Sequence, residues 1–207
     1  MEKHFDRIIL GIDPGTQVMG YGLIGIRGTK PEMIALGVIR LTKTEDHFLR
    51  IRKIFEGTLA LIDAHHPDEL SIEAPFFGKN VQSMLKLGRA QGVAIAAALS
   101  RQLPVFEYPP KRIKQSITGN GNATKEQVAT MLRTIFGYRE SPSHLDATDG
   151  LAAALCHFFQ KHGKLKTSSS SPAASKRKPV GSKKSGGKSY SGWESFIADN
   201  PGRIQAK

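Results

Sequence analysis

Four carboxylates stand where the sequence predicts the end of a buried strand or the start of an apolar helix. Asp13 closes one Ile-rich run, and Glu73 closes a later run of the same kind. Asp146 and Asp149 are three residues apart near the start of an apolar helix, so both project from one helix face. Strand ends and helix starts of an α/β sheet can converge on one cleft, which would collect all four side chains.

Such a cluster indicates metal-dependent chemistry. Carboxylates close together repel one another and raise one another's pKa, so the arrangement is costly unless divalent cations occupy it. Two cations about 3.5–4 Å apart are typical of in-line phosphodiester hydrolysis, where they activate water and stabilise the leaving oxygen. The region offers oxygen ligands and no cysteine or paired histidines at ligand spacing. We therefore expect Mg²⁺, with Mn²⁺ as a substitute and two ions per active site.

Three of the four acids also have an ordinary structural explanation. Taken alone, Asp13 before a Pro-Gly pair is better explained as a turn residue whose side chain bonds its own backbone. Asp146 can complete a capping box with Ser143, and Asp149 can be an acid that the helix dipole favours in a first turn. Glu73 has no such explanation, since strands and turns both disfavour Glu. The ordered set of four therefore carries more weight than any single member.

The elements that must position these acids follow from apolar periodicity, turn signals and helix caps. Three strands with short connections predict an antiparallel meander, and the alternating helices and strands that follow predict a mixed α/β sheet flanked by helices. The strands are expected at Arg7–Asp13, Val18–Ile26, Met33–Leu41, Leu70–Glu73 and Pro104–Tyr108. The helices are expected from a capping Thr44 with Phe48 on the apolar face, at Asn80–Gln102, from Pro109 to Lys114, at Thr124–Phe136 and from Ser143 to Lys161.

Basic residues are concentrated near the end of the chain. The 207 residues carry 30 Lys plus Arg against 18 Asp plus Glu, a net charge of +12. Residues 166–207 hold nine basic and two acidic side chains, and their Ser/Lys/Gly-rich part predicts a largely disordered tail that ends in an aromatic motif around Trp193. We therefore expect a folded domain at 1–165, a basic tail at 166–207, and a polyanionic partner. An incidental basic tail is the alternative.

Composition excludes several classes of protein. Cys156 is the single cysteine, so neither an internal disulfide nor a four-cysteine zinc site can form, which fits a reducing cytoplasm. The first residues are charged and lack the apolar segment of a signal peptide, and no apolar run approaches the roughly 20 residues that a membrane span needs. The sequence thus predicts a soluble, cytoplasmic protein without a membrane partner.

Six short motifs occur in a specific order between about Arg7 and His157. They are Ile9-Leu-Gly-Ile-Asp-Pro-Gly15, Gly20-Tyr-Gly22, Ile72-Glu-Ala-Pro-Phe76, Lys86-Leu-Gly-Arg-Ala-Gln-Gly-Val93, Pro104-Val-Phe-Glu-Tyr108 and Asp146-Ala-Thr-Asp-Gly-Leu-Ala152. In this order and spacing they resemble the RuvC family of Holliday-junction resolvases, the crossover junction endodeoxyribonucleases. The resemblance implies a ribonuclease H-like fold, a homodimer, and Mg²⁺-dependent cuts in two strands of a four-way DNA junction.

The resemblance also assigns roles to particular residues. By motif match, it implies that the catalytic, metal-binding carboxylates are Asp13, Glu73, Asp146 and Asp149. It carries over Lys114 and Lys125 as functional residues near the scissile phosphate, and it implies partner proteins that branch-migrate the junction. Gly88 and Gly92 lie four apart on one helix, which fits either packing against the sheet or a dimer seam.

Three further residues are candidates for DNA contacts. Phe76 follows Glu73 in a way that resembles the family's Glu-x-x-Phe pattern, so we favour stacking on an unpaired base at the junction over the usual burial of Phe. Lys79 and Arg112 are candidate phosphate contacts, although a solvated charged surface is the default role for such side chains.

Three competing functions share parts of this pattern. Another ribonuclease H-like nuclease, acting on RNA–DNA hybrids or flaps, would use the same acids. The run Asp13-Pro-Gly-Thr16 resembles the phosphate loop of sugar-kinase and actin-like ATPases, but these need two such domains, and this chain has room for one. A non-catalytic junction-binding protein gains nothing from acids that face phosphates. The sequence therefore predicts a structure-selective endonuclease that resolves four-way DNA junctions during recombination and repair.

Overall fold

A five-stranded mixed sheet is the centre of the fold in the computed structural model, which describes residues 4–42, 46–75, 80–138 and 145–163. The strands are β1 Arg7–Asp13, β2 Val18–Arg27, β3 Lys30–Arg40, β4 Glu69–Glu73 and β5 Val105–Tyr108. Their order across the sheet is β3-β2-β1-β4-β5. The first three strands pair antiparallel, whereas β4 runs parallel to β1 and β5 parallel to β4. The predicted meander followed by parallel strands is confirmed.

Helices cover both faces of this sheet. In the described ranges they are α1 His47–His65, α2 Val81–Ser100, α3 Pro110–Thr118, α4 Lys125–Phe136 and α5 Leu145–Gly163. One apolar cluster joins α1 and α2 to one face, and a second joins α3, α4 and α5 to the other. Helix α3 continues beyond the predicted end at Lys114 and stops at Gly119, whose φ of 75° is left-handed. None of the described helices is long and apolar enough to cross a membrane.

Side chains along a strand point alternately to the two faces of the sheet, and this determines the face to which Asp13 and Glu73 project. Ile12 packs in the cluster beneath α1 and α2, so its neighbour Asp13 projects to the α5 side. On β4, the Ser71 hydroxyl donates to the Ala153 carbonyl of α5 at 2.7 Å. Glu73, two residues further along β4, therefore projects to the α5 side as well.

Helix α5 lies close to β1 and β2 because glycines line the contact. A Cβ atom placed on Gly20 would lie 1.8 Å from the carbonyl oxygen of Asp146, and one on Gly11 would lie 2.1 Å from the carbonyl oxygen of Gly150. Atoms cannot approach so closely, so no larger side chain fits at these positions. We call the contact formed by Gly11, Gly20, Gly22 and Gly150 the glycine seam.

Helix α1 begins differently from its prediction. Its N-cap is Asp46, whose carboxylate accepts a hydrogen bond from the Phe48 amide at 3.3 Å, and the predicted cap Thr44 lies outside the described residues. The Phe48 side chain is 74% exposed, whereas Ile54 and Ile62 are buried. The prediction that Phe48 belongs to the buried face is wrong because the core covers only the middle and end of this helix.

A buried polar network joins β4, β5 and α5. The fully buried His157 has its Nε2 atom 2.9 Å from a Glu69 carboxylate oxygen and its Nδ1 atom 2.7 Å from the Tyr108 hydroxyl. Lys161 forms an ion pair with the same carboxylate. Burial lowers the pKa of His157 despite the attraction of Glu69. Although partial burial opposes it, hydrogen bonds from Lys161 and His157 lower the pKa of Glu69.

This network should make the folded protein sensitive to acid. Both pKa values are lower in the folded state, so the unfolded chain binds protons more readily at these groups. The stability that this network contributes is therefore lost as the pH falls below about 6.5 and further below about 4.5. His157→Gln should cost about 1–3 kcal/mol at pH 8, the range for an unsatisfied buried partner. This difference from the wild type in the thermal unfolding midpoint should shrink as the pH falls below 6.5.

The exposed residue His4 provides the control, because His4→Gln should leave both the unfolding midpoint and its pH dependence unchanged. If the difference between wild type and His157→Gln stayed constant as the pH falls below 6.5, the network would not be a source of acid sensitivity.

Candidate active site

Three of the predicted carboxylates come within reach of a single ion. Asp13 ends β1, and Asp146 and Asp149 lie in the first turns of α5. One carboxylate oxygen from each lies within 4.8 Å of the others. The glycine seam makes this approach possible, because Gly20 lets the α5 backbone at Asp146 pass directly over β2.

Glu73 lies beside this group, at the end of the neighbouring strand. Its charge raises the pKa of Asp13, so the two carboxylates act on each other. The backbone carbonyl of Glu73 accepts a hydrogen bond from the buried side chain of Gln91 on α2 at 3.4 Å. Gln91 was not predicted to support the site, although a glutamine within an Ala- and Gly-rich helix was a visible signal.

Burial and mutual repulsion raise the pKa of three of the acids. Burial, followed by the charges of Glu73 and Asp149, raises the pKa of Asp13 well above its ordinary value. Burial and the charge of Asp149 raise the pKa of Glu73 to about 7. Burial also raises the pKa of Asp149, although Lys125 opposes the shift. Near neutral pH, this cluster therefore favours taking up a proton or a cation.

Lys125 places a positive charge directly against the acids. Its Nζ atom lies 2.5 Å from an Asp149 oxygen and 3.3 Å from an Asp146 oxygen. The Thr124 capping box fixes the start of α4 and so positions this lysine. Although partial burial opposes it, the hydrogen bond to Asp149 raises the pKa of Lys125, which stays protonated. The charge of Lys114 on α3 also acts on Glu73, where it opposes the rise in pKa that burial and Asp149 cause.

The other candidate DNA contacts are not brought to this cluster. The Arg112 guanidinium donates to the Gln160 side chain at 2.5 Å, near the far end of α5. Phe76 and Lys79 lie outside the described residues. The roles of these three residues stay predictions.

The structure bears on the turn explanation for Asp13 but not on the capping explanation for Asp146. Within the described part of the chain, no hydrogen bond links the Asp13 carboxylate to the backbone that follows it, so the turn explanation has no support there. Ser143, the proposed capping partner of Asp146, lies outside the described residues.

The donor set fits a hard divalent cation. The group of three contains only carboxylate oxygens, the ligands that Mg²⁺ and Mn²⁺ prefer. The raised pKa of Asp13 and of Glu73 is the expected property of acids that await a counter-charge. Among the described residues, neither a thiol nor an imidazole belongs to this group, so these ligands do not favour a softer metal.

Glu73→Gln should stabilise the metal-free protein at high pH. The folded-state pKa of about 7 lies above the ordinary 4.5, so the ionisation of Glu73 destabilises the fold progressively as the pH rises from 4.5 through 7. At pH 8 in chelator, the variant should unfold at a higher temperature, by about 2–4 °C for each kcal/mol of relieved repulsion. The difference should vanish below pH 4.5.

Two controls accompany this measurement. Glu107→Gln removes an exposed acid on β5 and should change little. Saturating Mg²⁺ should reverse the order of stability, since a bound ion stabilises the intact acid cluster. A Glu73→Gln protein that is less stable than wild type in chelator at pH 8 would contradict the repulsion described here.

A family model and two curated relatives that match this chain carry the same description. The family model for "Crossover junction endodeoxyribonuclease RuvC" matches residues 9–157. A protein of that name from Cytophaga hutchinsonii is 56% identical over 203 residues, which cover 98% of this chain and 90% of the relative. Another, from Bacteroides fragilis, is 55% identical over 202 residues, with 97% of each chain covered.

Solved structures agree on the fold. The structure described as T. thermophilus RuvC in complex with Holliday junction substrate matches with a TM-score of 0.70 and 32% identity, covering 76% of this chain and 96% of that one. The yeast mitochondrial Holliday junction resolvase, at 16% identity and a TM-score of 0.55, shares the fold. The predicted ribonuclease H-like fold is confirmed.

Proposed function

Since this chain belongs to the RuvC family of crossover junction endodeoxyribonucleases, we propose that Asp13, Glu73, Asp146 and Asp149 form the centre at which it cuts DNA. The protein is a nuclease that resolves four-way DNA junctions in recombination and repair. The observation that supports this assignment of residues is the convergence of three aspartate oxygens within 4.8 Å, with Glu73 at their side.

The four acids would hold the metal in this proposal. Asp13, Asp146 and Asp149, with Glu73 beside them, would hold the two Mg²⁺ ions through carboxylate oxygens. Mn²⁺ would substitute because it prefers the same ligands. Bound ions of this kind supply an activated water and stabilise the leaving oxygen in phosphodiester hydrolysis.

The two lysines near the acids would orient the phosphate. Because the pKa of Lys125 is raised, its ammonium group stays charged and acts as a hydrogen-bond donor, never as a general base. Before DNA arrives, it offsets the charge of Asp149 and Asp146. With substrate present, Lys125 and Lys114 would donate to non-bridging phosphate oxygens beside the acids.

A homodimer would supply the second centre that paired cuts require. Val81 and Leu85 expose apolar side chains on α2, which is the surface that a second copy would cover. A Cβ atom on Gly88 or Gly92 would meet nothing within 4 Å, so the alternative that these glycines pack against the sheet is wrong. The open glycines instead support close approach of a partner helix.

The proposal also covers the surroundings of the nuclease. We infer that it works in the cytoplasm, with proteins that branch-migrate the junction and without a membrane partner. The basic tail, residues 166–207, would add DNA affinity or tether the aromatic motif around Trp193 to a partner. The tail lies outside the described residues.

Phe76→Ala should slow cutting of a fully paired junction by about 10-fold or more, since one stacked base is worth roughly 1–3 kcal/mol. Phe76 follows Glu73 by three residues, which places it near the acids along the chain. A junction that already carries unpaired bases at its centre should be cut almost normally. Equal losses on both substrates, measured as single-turnover rates, would count against stacking.

A comparison of substrates tests the proposed function. A synthetic four-way junction, an RNA–DNA hybrid and a plain duplex would each be incubated with the full-length protein, with Mg²⁺ and with chelator. We expect paired cuts in the junction only, and only with metal. Equal cutting of the hybrid would favour the alternative nuclease, and metal-independent binding without cutting would favour a non-catalytic junction-binding protein.

A further inference from the structure

Three cationic side chains and one histidine of α1 and α2 gather beside the loop that follows β1. We call them the α1–α2 basic cluster: His47, Arg50, Lys86 and Arg89. An Arg50 Nη atom donates to the carbonyl of Thr16, three residues beyond Asp13, at 3.4 Å. Arg89 Nη1 lies 3.2 Å from His47 Nε2. Lys86, Arg50 and His47 line one small cavity together with Thr16.

The positive charge of this cluster has no carboxylate partner among the described residues. Within residues 4–42, 46–75, 80–138 and 145–163, none of its members forms an ion pair with a carboxylate, whereas Arg101 pairs with Asp63 elsewhere on α1. In addition, the Arg50 Nε atom is buried without a hydrogen-bond partner. A buried donor without an acceptor is costly, and like charges held together repel. Both features indicate a missing anion.

The cluster and the two lysines near the acids lie on opposite faces of the sheet, at the same end of its strands. Helices α1 and α2 cover one face, whereas α3 and α4, which carry Lys114 and Lys125, cover the other. Both groups meet the carboxyl end of β1, where Asp13 and Thr16 lie. A DNA strand that crosses this edge with its scissile phosphate at the acids would continue towards the cluster.

We propose that the α1–α2 basic cluster binds a backbone phosphate of the cut strand, away from the scissile phosphate and on the side opposite Lys114 and Lys125. The inference rests on the proposed function and adds to it a second anchor for the strand. Lys86 and Arg89 are exposed and would contact the phosphate, with Arg89 at the border of the α2 surface that also carries Leu85 and Gly88. Arg50 is held in place by its hydrogen bond to Thr16. Contacts of this kind fix the register of DNA on a protein without reading its sequence.

A purely structural role for Arg50 is the competing explanation. Its hydrogen bond to the Thr16 carbonyl would then serve only to hold the loop. That explanation assigns no function to the exposed cations Lys86 and Arg89. A test therefore changes these two residues and leaves Arg50 intact.

The test compares two double variants of the full chain that remove equal charge. Lys86→Gln with Arg89→Gln removes the exposed half of the cluster. Lys30→Gln with Arg52→Gln is the control, because Lys30 is exposed at the opposite end of the sheet and Arg52 is exposed on another side of α1. Junction affinity would be measured in chelator over a series of salt concentrations. The cluster variant should lower the steepness of the salt dependence by about 0.9, the value for one lost phosphate, and the control should not.

A second readout locates the phosphate. Neutral methylphosphonates would be placed one at a time along the cut strand, and the affinity of each junction measured. At one position on one side of the cut, the methylphosphonate should lower the affinity of the wild type but not that of the cluster variant. At positions near the scissile phosphate, it should lower the affinity of both proteins. A cluster variant with the wild-type profile, or with the salt dependence of the control, would overturn the proposal.

Two further measurements keep the outcomes separate. Sedimentation at the same protein concentration would show whether the cluster variant stays in the wild-type oligomeric state, and a change there would overturn the proposal in favour of a role in assembly. Cutting of the junction by wild-type protein in Mg²⁺ tests the proposed function independently. A wild type that cuts, together with an unaltered cluster variant, would refute only the second anchor.

Discussion

Asp13→Asn should abolish junction cutting while junction binding survives. Asp13 offers one of the three oxygens that lie within 4.8 Å of one another, and it projects from the end of the central strand into the acid cluster. The substitution removes a proposed metal ligand and its charge, and it leaves in place the basic side chains that are proposed to contact phosphates. We expect the single-turnover rate to fall by about 10³-fold or more, the order found when one electrostatic group is lost at a reacting centre.

Matched variants sharpen this prediction. Glu73→Gln and Asp146→Asn should have comparable effects, and Asp149→Asn should also impair cutting. Asp63→Asn removes an exposed acid that pairs with Arg101 and should cut normally. Binding to the junction, measured in chelator, should be at least as tight for the active-site variants because a negative charge near the phosphates is gone. Near-normal cutting by Asp13→Asn in Mg²⁺ would refute the assignment.

Lys125→Gln should lower the cutting rate by about 10²-fold at saturating Mg²⁺, as expected for the loss of one preorganised donor at the reacting phosphate. The same change should lower the Mg²⁺ concentration needed for half-maximal cutting, since the ammonium group that contacts Asp149 and Asp146 competes with the ion. Single-turnover rates over a Mg²⁺ titration would measure both effects at once.

The exposed Lys111 on α3 gives the control, because Lys111→Gln removes a nearby surface charge without touching the acids. An unchanged maximal rate in Lys125→Gln would exclude this lysine from the reaction. A raised Mg²⁺ requirement would show instead that Lys125 supports the ion rather than competing with it.

The architecture and the acids were open to prediction because they depend on local patterns. Strands β1 and β4 are short apolar runs that end in an acid, and period-2 alternation fixes which face each acid takes. The order of elements then brings Asp13 and Glu73 to one edge of the sheet. The predicted meander, parallel strands and flanking helices are all present.

Other features depend on distances that no local pattern encodes. Lys114 and Arg112 are two residues apart in the sequence, and no local pattern shows which of them acts on the acids. The charge of Lys114 acts on Glu73, whereas Arg112 donates to Gln160. The contact of Lys125 with Asp149 joins the start of α4 to α5. Phe48 was assigned to the core from its spacing, yet it lies beyond the reach of the sheet.

The glycine seam has a consequence for how the enzyme should fail on heating. Helix α5 carries Asp146 and Asp149 in its first turns, while its central residues, from Leu151 onwards, are fully buried against β1 and β2. A helix held in this way opens only when the whole domain opens, so its amide hydrogens should exchange with solvent through global unfolding. The catalytic centre then has no separate melting step, and loss of activity on heating should coincide with loss of the fold.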